Sequence, residues 1–177
     1  MLELISVRQS DRKYSSRPVE KEKLERITEA ARLSPSACNG QPWRFIVIND
    51  PRVLESVADA AINKVLRINT FIHQVPLMIV IVRESANFNS KFGSTVKAKD
   101  FSLIDIGIAA GNICLQAKAE GLGSCIVGWF DENRLRKILS IPRSKRIELI
   151  ITLGYSEAEQ RVKRRKPGDC DISYHGY

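Results

Sequence analysis

The sequence predicts one domain in which helices surround a core of four strands. Three observations carry this: the length, four short apolar runs rich in β-branched residues, and intervening segments whose apolar residues recur at helical spacing. At 177 residues with 44% hydrophobic content, the chain falls in the usual single-domain range and can build a substantial core. Its longest apolar stretches, 77–82 and 147–153, are far shorter than the ~20 residues that cross a bilayer. Near the N-terminus Glu3 and Arg8 stand where a signal peptide would have an apolar core. A cytoplasmic protein with no membrane partner is expected. Cys38, Cys114, Cys125 and Cys170 are scattered without a Cys-x-x-Cys pair, and His73 lies far from His175. That pattern points to reduced thiols and away from a zinc site or a disulfide scaffold.

In chain order, a short helix is expected over 2–9, interrupted by Arg17-Pro18-Val19. Over 20–33, Leu24, Ile27 and Ala31 recur at helical spacing, with Glu20 and Glu22 in the first turn and Arg32 in the last, as the helix dipole favours. Pro35 ends this helix. Residues 44–48 read as a buried strand, 51–66 as a helix and 77–82 as a second strand. The polar stretch 84–99 reads as a loop or short lid. Ser102 and Asp105 resemble a capping box that opens a long helix to residue 120. Small and apolar residues cover nearly all its sides, so a core or subunit-interface helix is expected, with Gly107 and Gly111 permitting close backbone approach. Gly121-Leu122-Gly123 stops it ahead of a strand at 124–127. Asp131 caps a short helix through Leu139, Pro142 breaks it, and 147–154 forms the last core strand. Periodicity supports the four strands and leaves their order open.

The formal charge of +8 is concentrated near the two ends, at Arg8, Arg12, Lys13 and Arg17 and at Arg161, Lys163, Arg164, Arg165 and Lys166. Such segments either bind a polyanion such as nucleic acid or converge on one compact phosphate, and the second reading is preferred. In an extended segment Arg8, Ser10 and Arg12 can face a single anion, with two forked guanidinium donors and a hydroxyl. Lys163 and Arg165 repeat that spacing. The strongest local signal is Pro35-Ser36-Ala37-Cys38-Asn39-Gly40-Gln41-Pro42-Trp43. It combines turn residues with Ser and Asn side chains that donate and accept, as a polar heterocycle requires. The plainer reading is a structured connection with Trp43 in the core. Cys38, with no second cysteine nearby, reads as a small packing residue. His73 and His175 read as surface or structural groups.

The order of these segments carries a resemblance. Arg-x-Ser-x-Arg at the start, a helix ending in Pro-Ser-x-x-Asn-x-Gln-Pro-Trp, a later Gly-Leu-Gly-Ser with Gly128 and Phe130-Asp131, and a late Lys-x-Arg-Lys-Pro together resemble the nitroreductase family of flavoproteins, from about Ile5 to Pro167. The resemblance implies an α+β fold with a central, mainly antiparallel sheet flanked by helices. It implies a single domain over 1–177, with 155–177 as a basic C-terminal extension, and an intertwined homodimer with shared flavin sites, for which the helix over 102–120 is the candidate seam. The implied cofactor is FMN and the implied electron donor NAD(P)H. Hydride would pass through flavin N5 to a small electrophilic acceptor, a nitroaromatic, quinone or similar compound, by a ping-pong mechanism with no side-chain nucleophile. Flavin reductase or reductive dehalogenase chemistry on the same fold is the alternative, and nucleic-acid or polyanion binding the competing class.

Carried over by position, Arg8, Gln9, Ser10 and Arg12 resemble the group that binds the flavin phosphate and pyrimidine edge, joined by Lys163 and Arg165. Pro35, Ser36, Ala37 and Asn39 match the stretch the partner subunit contributes. Ile126, Val127 and Gly128 match the strand end whose backbone passes the ring, with a Gly128 N–H near N5, and Asn69 corresponds to a residue reaching the pyrimidine edge. Two departures stand out. Gln9 occupies a position where many members have Arg or His, which removes one cationic donor. The region 84–101 is short beside larger members, which implies a small or open acceptor site.

Overall fold

The computed structural model describes residues 1–63, 65–84, 100–167 and 172–176. Four strands, β1 (Trp43–Ile48), β2 (Leu77–Arg83), β3 (Gly123–Val127) and β4 (Arg146–Gly154), form one sheet in the order β1-β2-β4-β3, with every neighbouring pair antiparallel. This is the expected α+β arrangement, and it supplies the strand order that periodicity left open. Successive strand residues point to opposite faces, so a strand covered on both faces must be apolar throughout. The central strand β2 is: Leu77 through Val82 are all buried. Its Leu77, Ile79 and Ile81 pack with Ile151 and Leu153 of β4 against α2 (Lys21–Arg32) and α4 (Phe101–Ala119). Its Met78, Val80 and Val82 pack with Ile147 and Ile150 against α3 (Pro51–Ala61) and α5 (Glu132–Ile138). A register shift between Ile81 and Val82 accommodates β4 beyond Leu149.

The helices begin where side chains can satisfy their first N–H groups. Asp50 accepts from Arg52 N and Val53 N, with Pro51 at the first helical position, and Asp131 accepts from Arg134 N as expected. Two expectations are corrected. Helix α3 stops at Ala61, five residues early, because Asn63 bridges to Ile68 and Arg67 and Asn69 turn left-handed (φ 53° and 59°). The apolar Val65 and Leu66 that seemed to continue the helix are exposed. The capping box at Ser102 and Asp105 does not form either. Helix α4 starts at Phe101 with no side-chain cap, while Asp105 is buried and accepts from Ala37 N, 68 residues away. Most of α4 is covered within the protomer, with one face left open. Leu103, Ile104 and Ile108 are exposed, and a Cβ at Gly107 or Gly111 would meet nothing within 4 Å. The expected loop or lid over 84–99 lies, apart from Glu84, outside the described residues. No described helix is long and apolar enough to cross a membrane.

After α1 (Leu2–Val7), the N-terminal arm runs along the free edge of β3, where Ser10 bridges Ser124 and Asp11 N donates to Ser124 O at 3.0 Å. The Asp11 side chain lies so close to Gly123 that a Cβ there would fall 2.7 Å from Oδ2, so only glycine fits at the start of this strand. Tyr14 then plunges into the core. Its hydroxyl donates to Asp11 O at 2.8 Å and shares a hydrogen with Thr152 Oγ1 at 2.9 Å, and burial pushes the phenol well above its ordinary range. Replacing Tyr14 by Phe leaves the Asp11 carbonyl without this donor and is expected to cost about 1–2 kcal/mol. Denaturant titration at neutral pH checks this, and an unchanged midpoint would remove Tyr14 as an anchor of the arm.

Candidate functional site

The site begins where the two chain ends meet. Beyond β4, Ser15 N donates to Tyr155 O and Glu157 N to Lys13 O, both at 3.0 Å, so the outgoing chain runs back along the N-terminal arm. Tyr155 fastens this crossing. Its hydroxyl donates to Glu20 Oε2 at 2.6 Å, holding that carboxyl down at about 2, and Arg17 stacks on its ring at 4.0 Å. Residues 159–165 then fold over 8–12. Arg161 Nη2 donates to Ser10 O at 2.7 Å, and the Lys163 ammonium donates to Ile5 O.

Between the two segments lies a cleft of about 710 Å³, lined by Arg8, Gln9, Ser10 and Arg12 from one end of the chain and by residues 160–165 from the other. Six of its lining side chains are cationic, and none is acidic among the described residues. Desolvation, together with the positive charges of Arg8 and Arg165, pushes the Lys163 ammonium below its ordinary value. Like charges held this close attract an anion, and forked guanidiniums beside a hydroxyl suit the oxygens of a phosphate monoester. Arg161 and Arg164 also line the cleft, although spacing alone had singled out only Lys163 and Arg165 among the C-terminal cations. Their contiguity with that pair was the available signal. A second cleft of about 640 Å³, bordered by Leu24, Leu54, Ile72 and Val75, contains none of the residues expected at a flavin site.

Gln9 lines the cleft, but its amide is engaged with protein. Nε2 donates to Asp11 Oδ1 at 2.9 Å and Glu159 O at 3.0 Å, while Oε1 accepts from Arg161 N at 2.9 Å. Asn69 is similarly committed: Nδ2 donates to Ala61 O and Trp129 O, both at 3.0 Å, tying the turn after α3 to the end of β3. At that strand end Val127 is buried, Ile126 is the exposed residue of β3, and a Cβ at Gly128 would meet nothing within 4 Å, so the backbone is open to a flat group.

Pro35, Ser36, Ala37 and Asn39 do not line the cationic cleft of their own protomer. They form a tightly tethered turn between α2 and β1. Ser36 Oγ accepts from Gln41 N at 3.0 Å, Asn39 Oδ1 accepts from Gln41 Nε2 at 3.0 Å, and Asp105 Oδ1 accepts from Ala37 N at 3.1 Å. Cys38, Asn39 and Gln41 all take positive φ, at 51°, 52° and 43°, a conformation that persists only where surroundings enforce it and that clusters at ligand sites. Cys38 is exposed, so its reading as a packing residue is corrected. Asp105, which nothing local in the sequence marks as a loop anchor, has its Oδ2 buried with no hydrogen-bond partner among the described residues.

Fold and site together define an α+β protein with a cationic cleft made where its N-terminal arm meets residues 160–165. The family model described as the nitroreductase family matches residues 5–155. The chain is 32% identical over 164 residues to an Archaeoglobus fulgidus protein provisionally named NADH dehydrogenase/NAD(P)H nitroreductase, covering 90% of this chain and 87% of that one. It is 30% identical over 172 residues to the oxygen-insensitive NADPH nitroreductase of Helicobacter pylori, covering 81% and 80%. Among solved structures, an FMN-dependent nitroreductase from Clostridium difficile R20291 superposes with a TM-score of 0.81 at 29% identity, covering 100% of both chains. The chain belongs to the nitroreductase family.

Proposed function

We propose that the protein is a cytoplasmic, homodimeric FMN-dependent oxidoreductase that passes hydride from NAD(P)H to a small electrophilic acceptor such as a nitroaromatic or a quinone. The observation that carries this reading is the convergence of Arg8, Arg12, Lys163 and Arg165 on one cleft with no acidic lining among the described residues. The names of the relatives supply the reductant and the flavin. When bound, FMN supplies the hydride carrier, and the protein supplies binding, orientation and electrostatics.

Arg8, Ser10, Arg12, Lys163 and Arg165 hold the phosphate, and their positive field favours negative charge on the adjoining ring. The open backbone of Ile126, Val127 and Gly128 carries the ring, and Asn69 fixes that strand end through Trp129. Pro35, Ser36, Ala37 and Asn39 close over the site of the partner. The chain acts as one FMN-binding domain whose extension from 155 to 177 supplies half of the phosphate cradle. Folding of residues 159–165 onto the N-terminal arm favours a compact phosphate over a nucleic acid.

Purified protein is expected to be yellow, and initial rates with NADH or NADPH against a nitroaromatic or quinone should give parallel double-reciprocal lines. Intersecting lines would overturn the ping-pong order. A colourless protein that binds DNA in a salt-sensitive way would replace the flavin reading with the polyanion one. Comparison of nitroaromatics, quinones, free flavin and halogenated phenols as acceptors assigns the oxidant.

A further inference from the structure

The cationic cleft poses a mechanical problem. Arg8 and Arg12 on one segment face Lys163 and Arg165 on the other, and the like charges push the segments apart when no anion lies between them. Hydrogen bonds must hold them, and Gln9 supplies neutral ones beside those from Arg161 Nη2 to Ser10 O and from the Lys163 ammonium to Ile5 O. One amide bonds in both directions across 150 residues of sequence: Nε2 donates to Glu159 O, and Oε1 accepts from Arg161 N, with a longer contact from Gln160 Nε2 at 3.4 Å. Its second Nε2 hydrogen goes to Asp11 Oδ1, a carboxylate itself held by Ser156 Oγ at 2.8 Å. An arginine could donate here but has no acceptor for Arg161 N, and a carboxylate could accept but not donate.

We propose that Gln9 is a positioning residue: a neutral clasp that assembles the phosphate cradle by holding residues 159–161 against the N-terminal arm before any ligand arrives. The identity of the ligand rests on the flavin reading above, whereas the clasp itself does not. The absence of a cation at this position is then a change of role for the residue, from contacting the ligand to building its site.

The test uses the full-length chain and two variants, Gln9→Arg and Gln9→Ala. In flavin-free protein the segment 161–165 offers trypsin four cleavage sites, after Arg161, Lys163, Arg164 and Arg165. Release of the clasp is expected to speed cleavage there by about tenfold or more in both variants, as loss of two or three hydrogen bonds allows. Titration with FMN should show both binding about tenfold more weakly than wild type. The arginine variant is decisive. If Gln9 contacts the ligand directly, an added cation keeps or tightens FMN binding, and that result overturns the clasp, as does unchanged trypsin cleavage in both variants. Faster cleavage in a chain whose wild type binds no FMN would sustain the clasp and sink the flavin reading instead. Normal FMN binding with unchanged cleavage would do the reverse.

Discussion

Replacing Arg8 and Arg12 together by alanine is expected to yield a colourless protein whose affinity for FMN has fallen by at least about a hundredfold. A hydrogen bond to a charged group contributes about 1.5–3 kcal/mol, so the loss of two gives roughly 3–6 kcal/mol before coupling between neighbours reduces the sum. The stability of the empty protein should move the other way or not at all. Arg8 is one of the charges that depress the Lys163 ammonium, so its removal relieves repulsion in the ligand-free fold. Flavin titration and denaturant unfolding on the same preparations therefore separate a binding defect from a folding defect. A fall in affinity below threefold would show that the phosphate lies elsewhere. The residual affinity of the double variant should also depend less on ionic strength than that of wild type, because fewer charges remain to be screened.

The convergence of cations on one cleft could be read from the sequence because it is carried by residue types and short spacings. Arg8, Ser10 and Arg12 alternate on an extended arm, Lys163 and Arg165 repeat the pattern, and like charges gathered at two ends of a chain call for a shared anion. The central strand was equally legible, since a continuous apolar run from Leu77 to Val82 admits few other roles once both faces are covered. What stayed hidden was whatever depends on a distant partner. Gln9 bonds with backbone atoms about 150 residues away, so nothing local distinguishes a clasp from a ligand contact. Asp105 sits three residues after Ser102 in the pattern of a capping box, yet its carboxylate turns inward because the Ala37 N–H needs an acceptor. Val65 and Leu66 prolong an apolar period that the left-handed turn at Arg67 and Asn69 overrides. Strand order is tertiary information of the same kind, because an antiparallel sheet can be connected in several ways by the same four strands.

The exposed face of α4 supports the second large effect. Leu103, Ile104 and Ile108 present apolar side chains to solvent beside Gly107 and Gly111, and such a face on a helix otherwise largely buried is where a second copy of the chain is expected to dock. In a twofold dimer each substitution appears twice, so Ile108→Glu brings two carboxylates into the seam. With several kcal/mol lost for each buried, unpaired charge, dissociation is expected to become easier by at least about a thousandfold, giving a monomer in sedimentation at micromolar concentration. Protomer stability should fall much less than dimer stability, because Ile108 is partly exposed within one chain. The same variant should lose its flavin although no residue of the cationic cleft has been touched. Asp105, one turn from Ile108 on this helix, holds Ala37, so the seam and the turn from Pro35 to Asn39 are carried by one rigid element. Separation of the protomers withdraws that turn from the neighbouring site. A monomer that keeps full FMN affinity would show that one chain builds the whole pocket, and a dimer with bound flavin would place the seam on another face.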